Sequence, residues 1–198
     1  FAYIASHDLQ EPLRKIASFT ELLSRRYKGH LDAQADKYVE YVVDGATRMQ
    51  VLIQDLLAYS RIGKGELVVE PVDFVAVMKQ VLENLAESVR ENGAVVAWNG
   101  LPSGRANVIQ MTQLLQNLVG NAVKYRKKDE APHVAISARK DKDAWLFAVK
   151  DNGIGIDPQY AERIFEIFQR LHTRAEYPGT GIGLAVCKKI VERHQGKI

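Results

Sequence analysis

From Tyr38 to Tyr59, apolar or small residues recur at Val42, Gly45, Met49, Leu52 and Leu56, in alternating steps of four and three. That spacing is a heptad seam, and it dictates a long helix packed lengthwise against other helices. Gly45 is its weak point, because glycine adds no side chain and costs helix stability. An earlier helix carries Leu9, Leu13, Ile16, Phe19 and Leu23, and Lys28-Gly29-His30-Leu31-Asp32 reads as the turn between the two. Two long helices joined by a short loop form a hairpin with too little core of its own. A second copy would complete a four-helix bundle, so a homodimer is expected. The alternative is a hairpin packed on a second domain of the same chain.

Gly63-Lys64-Gly65 breaks the helix. The expected division is a hairpin over 1–62, a linker over 63–66 and a second domain over 67–198. In that domain Leu67-Val68-Val69 and Ala94 to Trp98 read as strands, and Leu101-Pro102-Ser103-Gly104 as a turn. Phe74 to Glu91, Val108 to Lys127, Ala161 to Phe168 and Ile182 to His194 read as helices. His133 to Arg139 and Ala144 to Lys150 alternate as two strands about a charged turn. Helices and strands in this irregular order predict an α/β sandwich, with helices on one face of a mixed sheet. The chain opens inside a helix, and Gly196-Lys197-Ile198 looks like the first step of a strand. Both ends are therefore read as cuts in a longer protein, with C-terminal strands missing.

Composition excludes more than it proposes. Twenty-seven Lys and Arg against 24 Asp and Glu leave a net charge of +3, with no basic run to suggest nucleic acid. No stretch approaches the roughly 18 apolar residues of a membrane span, and no signal peptide is visible. The single cysteine, Cys187, lies in an apolar helical stretch and is expected to be a small core residue. A reducing, cytoplasmic compartment is the simplest setting.

Four segments carry candidate chemistry. In Ser6-His7-Asp8-Leu9-Gln10-Glu11-Pro12-Leu13-Arg14, Pro12 removes the hydrogen bond to the Asp8 carbonyl and should bend the helix just after His7. Asp8 could take a proton from the imidazole and leave its other nitrogen a better nucleophile. Asn117, Asn121, Lys124 and Tyr125 share one helix face by spacing. An amide oxygen there could hold a hard cation such as Mg²⁺, and the lysine could pair with phosphate. Asp151-Asn152-Gly153-Ile154-Gly155 follows a strand, where the aspartate could accept a hydrogen bond from a base amino group. Gly179-Thr180-Gly181-Ile182-Gly183-Leu184 precedes a helix whose N-terminus could hold phosphate oxygens. Taken singly, each has a plain structural reading: a solvated helical histidine, buried asparagines and ordinary turns.

In this order the segments resemble the histidine, asparagine and two glycine boxes of the sensor histidine kinases, with Arg163-Ile164-Phe165-Glu166-Ile167-Phe168-Gln169-Arg170 similar to the phenylalanine box. The Ser6–Arg14 segment looks most like the phytochrome-like and other soluble kinases. The resemblance implies a dimeric four-helix bundle and an ATP-binding α/β sandwich of the gyrase, chaperone and histidine-kinase type. It implies ATP and Mg²⁺ as cofactors, autophosphorylation of His7 with Asp8 as base, and phosphotransfer to an aspartate on a response-regulator receiver domain. Asn121 would ligate Mg²⁺ with support from Asn117, Lys124 would touch phosphate, and Tyr125 would pack near base or ribose. Asp151 would read the adenine amino group. Gly153 and Gly155 would shape the nucleotide pocket, and Gly179, Thr180, Gly181, Gly183 and Leu184 its phosphate end. A lid from about Asp157 to Pro178 would be anchored by Phe165 and Phe168, an upstream sensor domain would complete the protein, and Gly63–Gly65 would be its hinge.

Glu11 departs from the family pattern, where Thr or Asn four residues after the histidine is thought to orient water for dephosphorylating the partner. An ionised glutamate only accepts hydrogen bonds, so weak phosphatase activity is expected. Two other readings compete: a gyrase-like or chaperone ATPase, which would lack the proline-bent histidine hairpin, and a non-enzymatic dimeric docking module with a degenerate ATP domain.

Overall fold

The computed structural model describes residues 2–27, 29–30, 32–173 and 176–198, with side chains from Gln10 onward. The chain divides into two compact units, Phe1–Arg61 and Ile62–Ile198.

The first unit is a pair of helices, α1 (Ala2–Tyr27) and α2 (Ala33–Arg61), that pack on each other. Helix α1 continues through Pro12, whose missing amide leaves the Asp8 carbonyl without its usual intrahelical donor. Gly29 adopts φ +77 between the helices, and Asp32 Oδ1 caps α2 by accepting the Ala35 amide at 2.7 Å. Lys28 and Leu31 of the expected turn lie outside the described residues.

The inner seam of α2 runs through Val39, Val43, Ala46, Gln50, Ile53 and Leu57, with Ala46 only 2% exposed. It is displaced by one residue from the Tyr38–Tyr59 seam read from sequence. Of that row, Tyr38, Val42, Met49 and Leu56 stay exposed. Helix α1 contributes Leu13 and Ala17 to the inner contact and leaves Ile16, Phe19, Leu22 and Leu23 exposed. The stripe is therefore wide enough for two adjacent heptad rows, and the hairpin uses only one of them.

The second unit contains β1 (Glu70–Asp73), α3 (Phe74–Asn84), α4 (Ala86–Glu91), β2 (Val95–Asn99), β3 (Ser103–Ala106), α5 (Val108–Lys124), β4 (His133–Asp141), β5 (Ala144–Asp151) and α6 (Gly183–Arg193). Strand β2 pairs in parallel with β4, and β4 pairs antiparallel with β5, giving the mixed sheet expected. A separate antiparallel ladder joins β1 to β3. On β4, Val134 and Ile136 face a helical layer made of Val77, Met78 and Val81 from α3, Leu115 and Val119 from α5, and Ile182, Cys187 and Ile190 from α6. Burial of these side chains, each contributing about 1.5–3 kcal/mol, fixes α5 and α6 over the sheet and so sets the frame of the site. Cys187 is fully buried, as its apolar setting implied.

Local departures from the sequence reading have physical causes. The expected strand at Leu67–Val69 lies three residues early, because backbone pairing runs Glu70↔Ala106 to Asp73↔Ser103. Ser103 and Gly104, read as turn residues, belong to that ladder. The expected helix from Phe74 to Glu91 divides at Leu85. Helix α5 ends at Lys124 rather than Lys127, with the Tyr125 amide still donating to the Asn121 carbonyl at 2.9 Å. Ala161 to Phe168 is not an α-helix, and short 3-10 turns at Pro158–Tyr160 and Arg163–Phe165 replace it. Phe168 sits at φ +65 and is 53% exposed, so it is not a core aromatic, whereas Phe165 is half-buried. Among the described residues, no helix is long and apolar enough to cross a membrane.

Candidate functional site

The site grows from the C-terminal half of α5. Asn107 starts this helix by accepting the Gln110 amide at 3.0 Å, and its buried row of Met111, Leu115, Val119, Ala122 and Val123 anchors it. The opposite rim, carrying Leu118, Asn121 and Tyr125, is left to border a cavity of about 490 Å³. That volume lies in the range of small-molecule sites, about 300–1,000 Å³.

Asp151 closes β5 at another edge of the cavity. Its Oδ1 accepts the Gly153 amide at 2.8 Å, and the Ile154 amide donates to the Tyr125 carbonyl at 3.0 Å. These bonds press the loop onto the end of α5. A Cβ on Gly153 would fall 2.4 Å from the Tyr125 oxygen, so glycine is required there by close approach. Asn152 secures the same loop from behind, with Oδ1 accepting the His133 amide at 2.8 Å and Nδ2 donating to the Ala131 carbonyl at 3.0 Å. Sequence reading passed over Asn152, although its place between Asp151 and Gly153 was a usable signal.

The cavity brings together Asn121, Tyr125, Asp151, Gly155 and Leu184 of the predicted residues. Asn117, Lys124, Gly153, Gly179, Thr180, Gly181 and Gly183, from the same unit, do not line it. Lys124 Nζ is 4.3 Å from the Tyr125 ring centre, and a Cβ on Gly179 would meet that ammonium at 2.9 Å, so the lysine lies against the second glycine segment. Gly181 has φ +75 and faces the Gln169 carbonyl so closely that a Cβ would approach it to 2.7 Å. Gly183 begins α6 beside the Asn117 amide oxygen, at 3.3 Å from a Cβ position, and Thr180 lies between these glycines. The side chains of His7 and Asp8 lie outside the described residues.

Several cavity residues were not singled out as site residues from sequence, although most lie in the segments read there as glycine box, phenylalanine box and lid. Gln169, Arg170, Leu171 and His172 come from the segment between the 3-10 turns and α6, and Ile154, Ile156 and Ile164 supply apolar wall. Gln169 to His172 lie beyond the helix expected over Ala161 to Phe168 and have no periodicity of their own. Among the described residues, no group of three His, Cys, Asp or Glu side chains could hold a metal.

Residues 1–65 match the family described as His Kinase A (phospho-acceptor) domain, and residues 106–198 match that described as Histidine kinase-, DNA gyrase B-, and HSP90-like ATPase. The chain belongs to the histidine kinases. Among curated relatives, Cyanobacterial phytochrome A of Nostoc sp. (strain PCC 7120) is 49% identical over 198 residues, covering 100% of this chain and 26% of that protein. Phytochrome-like protein Cph1 of Synechocystis sp. (strain PCC 6803) is 48% identical over 198 residues, again 100% of this chain and 26% of the relative. The chain thus spans about a quarter of the length of these relatives, 26% in each case. Full-length ShkA in complex with AMPPNP is similar in structure, with a TM-score of 0.70, 30% identity, and coverage of 97% of this chain and 40% of that one. Acinetobacter baumannii histidine kinase AdeS shares the fold, with a TM-score of 0.64 at 22% identity, over 94% of this chain and 86% of that one. The phytochrome-like relatives agree with the expectation drawn from Ser6–Arg14.

Proposed function

We propose that this chain is a sensor histidine kinase core that moves the γ-phosphoryl group of ATP to His7 and then to an aspartate on a response-regulator receiver domain. The observation that carries the reading is the convergence of Asn121, Tyr125, Asp151 and two glycine segments on one cavity, in a chain whose residues 1–65 match a phospho-acceptor family. A plain gyrase-like or chaperone ATPase would not account for that second match.

The cavity fits a nucleotide in kind. Asp151, an acceptor at the strand end, suits a base amino group, and the apolar Ile154 and Ile156 suit the faces of a base. The close backbone approaches at Gly153 and Gly181 leave no room for side chains where the two glycine loops meet their neighbours. Lys124, held against Gly179, suits a phosphate oxygen. Mg²⁺ is usually held by few protein ligands plus water and phosphate oxygens, so the Asn121 amide oxygen, with Asn117 near Gly183, would suffice to hold it. When bound, the ion neutralises charge developing on the phosphates.

The catalysis asked of the chain is then mainly positioning. The γ-phosphorus–oxygen bond to ADP breaks as a bond to a ring nitrogen of His7 forms, and Asp8 takes the proton from the other nitrogen. The departing ADP oxygen keeps the bonding electron pair, and ADP is the leaving group. The exposed second seam of α2, with Ile16, Phe19 and Leu23 of α1, is the apolar face on which a second copy would complete a four-helix bundle. The Lys64 and Gly65 carbonyls accept bonds from Arg193 at 3.4 and 2.9 Å. Those bonds tie the later linker to α6 and leave Gly63, at φ +102, as the hinge residue. An upstream sensor domain and a cytoplasmic setting belong to the same reading.

The deciding experiment is transfer from γ-labelled Mg-ATP to the purified chain beside His7→Gln. Acid-labile label that vanishes in His7→Gln is the expected result. ATP binding without any label would instead favour a docking module.

A further inference from the structure

Three ring-bearing side chains meet beside the cavity, and two of them, Tyr125 and His172, line it. Tyr125 comes from the end of α5, and His172 and Tyr177 from the segment before α6. Their ring centres are 6.1 Å apart for Tyr125–His172, 5.3 Å for His172–Tyr177 and 5.0 Å for Tyr125–Tyr177. Tyr177 is fixed twice: its hydroxyl donates to the Arg126 carbonyl at 3.1 Å, and its own carbonyl accepts Arg170 Nη2 at 2.9 Å. His172 is in ring contact with both tyrosines, and Glu176 lies close enough to interact with its charge. Among the described residues, neither of its ring nitrogens takes part in a hydrogen bond. A half-buried imidazole lining a cavity, in tilted and edge-on contact with two tyrosine rings and with neither nitrogen bonded among the described residues, can offer a ring N–H to a polar ligand.

What that ligand group is follows from the surroundings. The Tyr125 ring that His172 packs against also carries the Lys124 ammonium, 4.3 Å from its centre. Lys124 and His172 therefore border the same ring. Tyr125, Glu176 and Tyr177 face the imidazole, Lys124 borders the same Tyr125 ring, and Lys150 and Asp151 from β5 and Arg170 line the same cavity. The Glu176 carboxylate accepts the Thr173 hydroxyl at 2.8 Å and the Thr173 amide at 3.0 Å, and these bonds, with a smaller attraction to His172, hold its carboxyl below the usual range. Arg170 already donates to Tyr177. In this set histidine is the side-chain type whose charge ordinarily changes between about pH 5 and 8.

We propose that His172 is a nucleotide-contacting residue, donating a ring N–H to the polyphosphate of the bound nucleotide and strengthening its hold on that anion when protonated. The inference rests on the cavity being the ATP site. It assigns a determinant of affinity to a side chain outside the glycine and asparagine segments.

Calorimetric titration of the chain with Mg-ATP and with adenosine tests it, using wild type, His172→Gln and His172→Lys at about pH 6 and about pH 8. His172→Gln should weaken Mg-ATP binding by roughly fivefold to tenfold at the lower pH. The loss should be smaller at the higher pH, and adenosine binding should change by less than about twofold. His172→Lys should restore Mg-ATP affinity at both pH values. Titration of the nucleotide's own phosphate is common to all three proteins, so the difference between them isolates the imidazole. An equal loss for Mg-ATP and adenosine would show that the ring only packs and would overturn the proposal. An unchanged pH dependence in His172→Gln would overturn it as well. If wild type bound neither ligand, the reading of the cavity would fall together with the proposal, a result distinct from a wild type that binds while His172 is silent.

Discussion

Gly153→Ala should disable the nucleotide site through one contact. The added Cβ would stand 2.4 Å from the Tyr125 carbonyl oxygen and 2.8 Å from Asp151 Oδ1. The Tyr125 oxygen cannot rotate away, because its peptide ends α5 and it already accepts the Ile154 amide at 3.0 Å. Relief requires the loop to move off the helix, which breaks that bond and the Gly153–Asp151 bond at 2.8 Å. A neutral hydrogen bond contributes about 0.5–1.5 kcal/mol and one to a charged group about 1.5–3 kcal/mol, so about 2–4 kcal/mol is at stake. Since 1.4 kcal/mol is a tenfold change in an equilibrium, Mg-ATP affinity should fall by more than about tenfold. The second unit should also melt several degrees lower, roughly 3–4 °C per kcal/mol. Gly93→Ala is the control. Gly93 has φ +59 and open space around it, so alanine there adds left-handed backbone strain of about 1–2 kcal/mol without touching the loop. It should lower the melting temperature and leave Mg-ATP affinity unchanged. Calorimetry and thermal melts on the two variants decide the matter. A Gly153→Ala protein that binds like wild type would refute the argument, as would a Gly93→Ala protein that loses affinity as much.

Other expectations are more compact. Asp8→Asn should slow labelling of His7 by about 100-fold while Mg-ATP binding holds, if Asp8 is the general base; quench-flow labelling reads both. Leu115→Ala, at a 3% exposed position under the sheet, should cost about 2–5 kcal/mol in denaturant melts. Burial pushes the Cys187 thiol up from 9.0 to about 12, so the unfolded chain ionises first. Stability carried by the neutral thiol is therefore full below pH 9.0 and is lost as pH rises toward about 12, a slope that Cys187→Ala should remove. Glu11 should leave the chain a weak phosphatase, and rapid decay of a cognate phosphorylated regulator that depended on Glu11 would contradict this.

The elements legible in the sequence are those whose period the packing enforces. Helices α2 and α5 and strands β4 and β5 stand close to where alternation and heptads put them. The β1–β3 ladder was not legible, because Glu70-Pro71-Val72-Asp73 and Ser103-Gly104-Arg105-Ala106 have no strand composition and pair only because the surrounding fold aligns them. At the site, the motif residues Asn121, Tyr125, Asp151 and Gly155 share the cavity, since each sits at the end of a regular element or just beyond one. His172 was invisible for the opposite reason. It belongs to an aperiodic segment positioned by ring contacts with Tyr125 and Tyr177, residues far apart in sequence.

The displaced seam of α2 separates two equilibria that homodimeric helical proteins usually blend. Val43 faces inward within one hairpin, whereas Val42, its neighbour in sequence, points out. Damage at Val43 weakens a single molecule, and dilution leaves that loss unchanged. In the proposed dimer, damage at Val42 would weaken an association between molecules, so its effect would grow as the solution is thinned, by mass action. One step along the chain thus moves a substitution from a first-order penalty to a second-order one.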